Sequence, residues 1–389
     1  MRALSRSMMV GIFITFCFSI QNSTHRRQDD GQGQRDSLFS SSAIAGNSNG
    51  NPDQLPGLQY DFYREACPEA EFVIRKTVQD FVTKRSDVAP GLLRLAFHDC
   101  FVQARTILPK ITLHFFPFLG CDASVLLDSR EGAPSEKEAS ANKNSLRGFD
   151  VIDAVKERLE HLCPLTVSCA DIVALSARDA IFLTGGPFYP LSTGRRDGRV
   201  SRAATAEAQL PSPFDTLAAI LAAFNERGLH QNDTITLLGA HTIGHTHCRF
   251  VQSRLYNFSG DGSPDPTMNS TLAESLKLIC PEDDDEEADM DGRTKLPMDF
   301  GGHDTFDSHF YQNVVEGYGV LYADQQLMAS AATANLVVDY AIDSDLFRRE
   351  FARAMVKLSS VGVLTGSQGE VRRDCRRLLE DEPTGLNGG

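Results

Sequence analysis

The sequence predicts an all-α, mainly helical protein, and three observations carry that expectation. Apolar residues recur at spacings of three and four in eight separate segments. Runs that alternate apolar and polar residues are few and short. Turn clusters such as Gly185-Gly186-Pro187 and Asp261-Gly262-Ser263-Pro264 separate the helical segments, and no repeat of about 20 to 50 residues interrupts them.

In chain order the helices are expected at 70–83, 91–101, 149–162, 168–183, 214–227, 234–248, 306–318 and 345–360. The first shows the spacing plainly, with Phe72, Ile74, Val78, Phe81 and Val82 on one stripe. The second is filled by Leu92, Leu93, Leu95 and Phe97. Asp233 is placed to cap the sixth, and Asp343 to Asp345 the last. Between 282 and 291 eight of ten positions are acidic, which predicts a solvated loop.

The 389 residues suit one large domain or two small ones, and 41% apolar with 23% charged residues argues against both disorder and a polytopic membrane protein. A net charge of −14 argues against nucleic acid, whose phosphates need clustered Lys and Arg. Arg2 and Arg6 precede thirteen uncharged residues, Met8 to Ile20, which read as a signal peptide over 1–20. A membrane span needs about 20 apolar residues, so no anchor is expected. A leader rich in Ser, Asn, Gln, Gly and Asp follows, and 21–57 is expected to be flexible.

Of nine cysteines, Cys17 lies in the signal, and the exported chain keeps Cys67, Cys100, Cys121, Cys163, Cys169, Cys248, Cys280 and Cys375. Eight cysteines in an oxidising compartment predict four bridges, and spacing alone leaves about 105 pairings open. Glycosylation acceptors begin at Asn232, Asn257 and Asn269. Together these predict a secreted, extracellular protein.

Two constellations carry chemistry. Arg94-Leu95-Ala96-Phe97-His98-Asp99-Cys100 places a cation and an imidazole four residues apart on one helical face, where the cation would disfavour protonation of the imidazole. In Leu237-Leu238-Gly239-Ala240-His241-Thr242-Ile243-Gly244-His245, small neighbours would let a broad ligand approach. His241 and His245 have zinc-ligand spacing, but no Glu follows the first His as zinc hydrolases require.

At these residues the chain resembles the secreted plant haem peroxidases, the class typified by horseradish peroxidase. The resemblance runs over 58–376. It includes Tyr60-Asp61-Phe62-Tyr63 with Cys67-Pro68, the helix from Arg94 to Val102, and Gly120-Cys121-Asp122-Ala123-Ser124-Val125-Leu126-Leu127-Asp128. Val167-Ser168-Cys169-Ala170-Asp171, Gly194-Arg195-Arg196-Asp197, the His241 segment and the ending from Thr365-Gly366 to Cys375 follow in order.

The resemblance implies a haem peroxidase fold with haem b between a distal and a proximal half. His241 would ligate the iron, with Asp324 accepting from its other nitrogen. On the distal side His98 would be base and then acid, Arg94 would stabilise developing charge, and Asn142 would orient His98. Pro211, in Leu210-Pro211-Ser212-Pro213-Phe214, would touch phenolic donors at the haem edge. Two calcium ions are implied: a distal one at Asp99, Asp122, Ser124 and the carbonyls of Val102 and Gly120, and a proximal one at Thr242, Asp299, Asp307 and the carbonyl of Thr305. Family pairing joins Cys67 with Cys163, Cys100 with Cys121, Cys169 with Cys375, and Cys248 with Cys280. Asp171 and Arg195 would form an internal ion pair.

Three departures stand out. Sixteen residues, 104–119, intervene where the family passes almost directly to Gly-Cys-Asp. They are apolar with no acid, which predicts a retained intron or gene-model error, and they fall inside the distal calcium site and put that ion in question. Gly302 stands where the proximal calcium loop commonly has Thr. Tyr189 takes the place of a Trp, and the chain has none.

The sequence thus predicts a monomeric secreted enzyme reducing hydrogen peroxide and oxidising small phenolic substrates, with no nucleic-acid or membrane partner and a tail at 377–389. The rival from another class is a catalytically impaired, peroxidase-like extracellular binding or structural protein.

Overall fold

The computed structural model describes residues 57–102, 120–282, 294–302 and 304–381. The expected signal, almost all of the leader, the insert, most of the acidic stretch and the end of the tail lie outside these residues.

The first four helices form one layered unit: α1 (Ala70–Val82), α2 (Val88–Phe101), α3 (Phe149–Leu162) and α4 (Cys169–Leu183). The centre is α4, apolar nearly all round and buried from Cys169 to Ile181, as a helix enclosed by neighbours must be. It packs against α1, α2 and α3. The Ser168 side chain starts it by accepting the Asp171 N–H, which satisfies an otherwise orphaned donor.

The chain continues through α5 (Ala203–Gln209), α6 (Leu217–Asn225), α7 (Gln231–Leu238), α8 (Gln252–Tyr256), α9 (Ser270–Ile279), α10 (His309–Val315), α11 (Tyr322–Gln325), α12 (Ala331–Ile342) and α13 (Ser344–Leu358). Here α7 packs on α13 and α10 on α12. The only sheet among the described residues pairs β1 (His245–Thr246) with β2 (Leu296–Pro297), antiparallel. One apolar core runs through both groups of helices, with a smaller cluster around Val251, Leu255, Leu272 and Leu276 beside Cys248 and Cys280. No helix among the described residues is long and apolar enough to cross a membrane.

The mainly helical expectation holds, with several corrections. The helix expected at 234–248 begins earlier, at Gln231, and ends at Leu238; a 3-10 turn over Gly239–Thr242 and then β1 follow. Gly244, at φ +104°, turns the chain into the strand, and a residue with a side chain would be strained there. Asp233 is therefore inside α7, where its carboxylate accepts the His230 N–H at 2.8 Å rather than capping a helix at 234. The 214–227 helix starts at Leu217, capped by Thr216. The 306–318 helix contracts to α10. Asp343 does cap α13, accepting from Leu346 N at 2.8 Å. In α1, Ile74 and Val78 are buried but Phe72 is 67% exposed, so the stripe is narrower than the spacing implied.

The four disulfides are those the resemblance implied: Cys67–Cys163, Cys100–Cys121, Cys169–Cys375 and Cys248–Cys280. Asp171 and Arg195 form a wholly buried ion pair at 2.7 Å. Asp171 also accepts from the Tyr63 hydroxyl and the Gly194 N–H, so its charge is well satisfied. Tyr189 is buried, and its hydroxyl has no hydrogen-bond partner.

Candidate active site

Helix α2 presents Arg94 and His98 one turn apart. Its apolar residues Leu92, Leu93, Leu95 and Ala96 are buried, which fixes the helix and hence both polar side chains. His98 is itself buried, and its Nδ1 lies 2.6 Å from Asn142 Oδ1. The Asn142 amide is held from behind, its Nδ2 donating to the Glu136 carbonyl at 2.7 Å. With Oδ1 thus facing the imidazole, Nδ1 must carry the hydrogen, and Nε2 keeps a lone pair.

Burial holds the His98 pKa well below its ordinary value, the Arg94 charge lowers it further, and the Asn142 bond opposes both. Arg94 contributes as its spacing suggested, but desolvation is the larger cause. Arg94 donates to the Ala141 carbonyl at 2.7 Å and lies 3.2 Å from Ser145 Oγ. Burial, with Arg147 and Arg249 nearby, lowers its pKa to about 10, so it remains a cation near neutrality.

His241 sits in the 3-10 turn after α7, not within a helix. Its Nδ1 is 2.8 Å from Asp324 Oδ1, and its side chain is 35% exposed although Asp324 is fully buried. A carboxylate only accepts, so Nδ1 donates and Nε2 is again left free. The second Asp324 oxygen, Oδ2, is buried without a partner. The Asp324 helix is tethered by the Ala323 N–H, which donates to the Pro213 carbonyl at 3.0 Å.

The small residues near His241 serve purposes other than admitting a ligand. A Cβ on Gly239 would meet Tyr311 Oη at 2.3 Å and Phe347 at 2.7 Å, so that glycine is required by core packing. A Cβ on Gly244 would touch Pro90 at 3.0 Å; the turn after His241 therefore lies against the start of α2. Gly239 is buried, whereas Ala240 and Gly244 are half-buried.

Pro211 is half-buried in a short segment knotted by Ser212 N donating to Asp215 Oδ2 at 2.8 Å. Nearby, the exposed Phe214 ring stands 6.2 Å from that of Phe250.

Two imidazoles, each tied at Nδ1 to a buried acceptor and each with a free Nε2, suit the two sides of a haem. A family model described as Peroxidase matches residues 74–343. The chain belongs to the peroxidase family. It is 43% identical to Peroxidase 48 of Arabidopsis thaliana, with 83% of each chain covered. Peroxidase 10 of the same plant is 42% identical over 82% of this chain and 85% of its own. Peroxidase 5 of Vitis vinifera is 42% identical over 82% of this chain and 91% of its own. This plant peroxidase is thus a haem-dependent enzyme of the class the sequence resembles.

In the peroxidase, Asp99, Asp122 and Ser124 are all buried close together. Asp99 accepts the Ala123 N–H at 2.9 Å and Asp122 accepts the Ser124 N–H at 3.1 Å. Burial, then the Asp122 charge, pushes the Asp99 pKa well up, and burial raises Asp122 to about 6. Val102 and Gly120 are buried at the two ends of the insert, Gly120 N donating to Gly362 O at 2.9 Å.

Sequence reasoning missed Glu136. It too is buried, with a pKa driven well up by burial and by the charges of Asp122 and Asp99. In Glu136-Lys137-Glu138 it reads as one of many surface acids, and no pattern distinguishes it. Asp122 Oδ2 and Glu136 Oε2 are buried without hydrogen-bond partners. Such oxygens suit a hard cation, although no group of three or more His, Cys, Asp or Glu side chains among the described residues forms a ready metal cage. Thr242, Asp299, Asp307 and Thr305 also come together, in a cluster described below.

Proposed function

We propose that the peroxidase holds haem b between α2 and the His241 turn, with His241 Nε2 toward the iron. The carrying observation is the matched pair of imidazoles, His98 on Asn142 and His241 on Asp324. The unpartnered Asp324 oxygen and the partly open His241 ring support the fit. Bound haem supplies the centre at which hydrogen peroxide is reduced by two electrons and from which donors are oxidised one electron at a time.

The chain's own residues move and hold protons. His98 Nε2 takes a proton from one oxygen of hydrogen peroxide and returns it to the other, which leaves as water. Its lowered pKa keeps it neutral and able to accept. The Arg94 cation offsets negative charge on the departing oxygen. Asn142 fixes the tautomer in which Nε2, not Nδ1, is the base. The Nδ1 bond to Asp324 makes His241 Nε2 a stronger electron donor.

Small phenolic donors suit the apolar, aromatic ground around Pro211, Phe214 and Phe250. We assign the catalytic domain to 58–376, with a signal at 1–20, a leader at 21–57, the anomalous 104–119 and a tail at 377–389, in a monomer exported from the cell. Calcium at Asp99, Asp122 and Ser124 is part of this proposal. The impaired, non-catalytic alternative is not favoured, because the residues for both haem faces are present and paired.

An absorption spectrum of the purified mature protein tests the proposal. A strong haem band that shifts on adding peroxide is expected. A folded sample that stays colourless after reconstitution with haemin overturns it.

A further inference from the structure

The two expected calcium sites differ in how their oxygens are satisfied. At the distal cluster, Asp122 and Glu136 each keep a buried oxygen with nothing to accept from. At the proximal cluster every carboxylate oxygen already has a donor. His309 Nδ1 lies 2.9 Å from Asp299 Oδ1, which also accepts from the Asn313 amide. Because a carboxylate cannot donate, His309 Nδ1 must carry the hydrogen. Asp307 Oδ1 accepts the His309 backbone N–H at 2.9 Å, and Asp307 Oδ2 accepts from Thr305 Oγ1 at 3.3 Å. The Thr242 hydroxyl lies 3.4 Å from Asp299 Oδ2 and 3.2 Å from Asp307 Oδ1. Since His309 N serves the latter, the hydroxyl hydrogen is available to Asp299.

Gly302 completes the contrast. It offers no side-chain oxygen, and a Cβ there would lie 2.4 Å from Asp299 Oδ2, so the loop leaves no room for one. Calcium needs about six to eight oxygen ligands with free lone pairs. Seating it here would require His309 and Asn313 to release Asp299.

We propose that the proximal cluster is closed by protein donors in place of calcium, with His309 and Asn313 bracing Asp299, so that the enzyme holds a single structural calcium at the distal cluster. The proximal half of this proposal is independent of the distal assignment, and the experiment separates them. Calcium per chain is measured by elemental mass spectrometry on the haem-loaded protein after desalting, together with thermal unfolding with and without chelator. One calcium per chain is expected, retained in Asp307→Asn and lost in Asp122→Asn. His309→Ala should lower the unfolding midpoint equally with and without chelator. Two calcium ions per chain, or loss of the ion in Asp307→Asn, overturns the proposal. If Asp122→Asn does not fold, the wild-type count and Asp307→Asn still decide it. A count of zero with the haem band intact removes the distal calcium while upholding closure of the proximal cluster.

Discussion

Asn142 Oδ1 stands 2.6 Å from His98 Nδ1, across 44 residues of sequence. That contact dictates which nitrogen of the imidazole can act as a base. Replacing Asn142 with Leu should slow peroxide cleavage by about 10- to 100-fold while leaving the haem band in place. Stopped-flow rates of the spectral change on adding peroxide measure it, and an unchanged rate removes Asn142 from the mechanism.

His98 itself should be far less replaceable. In His98→Leu no side chain remains to relay the proton, and rapid peroxide cleavage should be abolished in a protein that still takes up haem. Full activity in that variant discards the base.

The pH profile carries a signed prediction. His98 acts when neutral, and burial with Arg94 holds its pKa below 6.5. The rate should therefore persist as pH falls through 6.5 and decline only at more acid values. Arg94→Leu removes a cation that opposes protonation, so the acid limb should move to higher pH. The same substitution should cost about 100- to 1,000-fold at the plateau. A limb that moves to lower pH instead contradicts the electrostatic assignment.

On the other face, Asp324→Asn keeps the shape but removes the charge that His241 Nδ1 addresses. The iron midpoint potential should rise, on the order of 60 mV if about 1.4 kcal/mol of charge-assisted hydrogen bonding is lost. Spectroelectrochemistry reads this directly, and an unchanged potential would show that the 2.8 Å contact has no electronic effect.

Stability should depend on the buried pair Asp171–Arg195. Asp171→Ala leaves a fully buried guanidinium without its counter-charge and deprives the Tyr63 hydroxyl of its acceptor. A loss of about 3–5 kcal/mol is expected from denaturant unfolding.

The insert has a direct assay. If 104–119 is absent from the natural protein, tryptic digests will lack the peptide from Thr106 to Lys110. Its detection would establish the segment as genuine.

Much of this molecule was legible from sequence because its signals are local. The α2 register follows from Leu92, Leu93 and Leu95, and the four-residue spacing of Arg94 and His98 places both on one face without further information. Helix α12 was missed because Ala331 to Ile342 is apolar on too many sides to show a stripe, and α9 because its ten residues follow directly on a turn. The end of α7 was misplaced because the requirement for Gly239 comes from Tyr311 and Phe347, residues remote in the chain. Glu136 was invisible for the same kind of reason: its burial exists only once the segment carrying Asn142 folds over Asp122. His309 belongs to that group, since only the tertiary fold reveals that it faces Asp299.

The bridge from Cys169 to Cys375 spans a sequence separation of 206 residues. Beside it, buried Arg372 reaches the carbonyls of Ala123 and Cys375, and its own N–H bonds Asp197. The innermost helix is therefore fastened by residues far downstream of it in the chain. The bridge and these bonds cannot form until the segment around 372 to 375 is available, and a truncation a few positions before 372 would leave α4 without its covalent anchor.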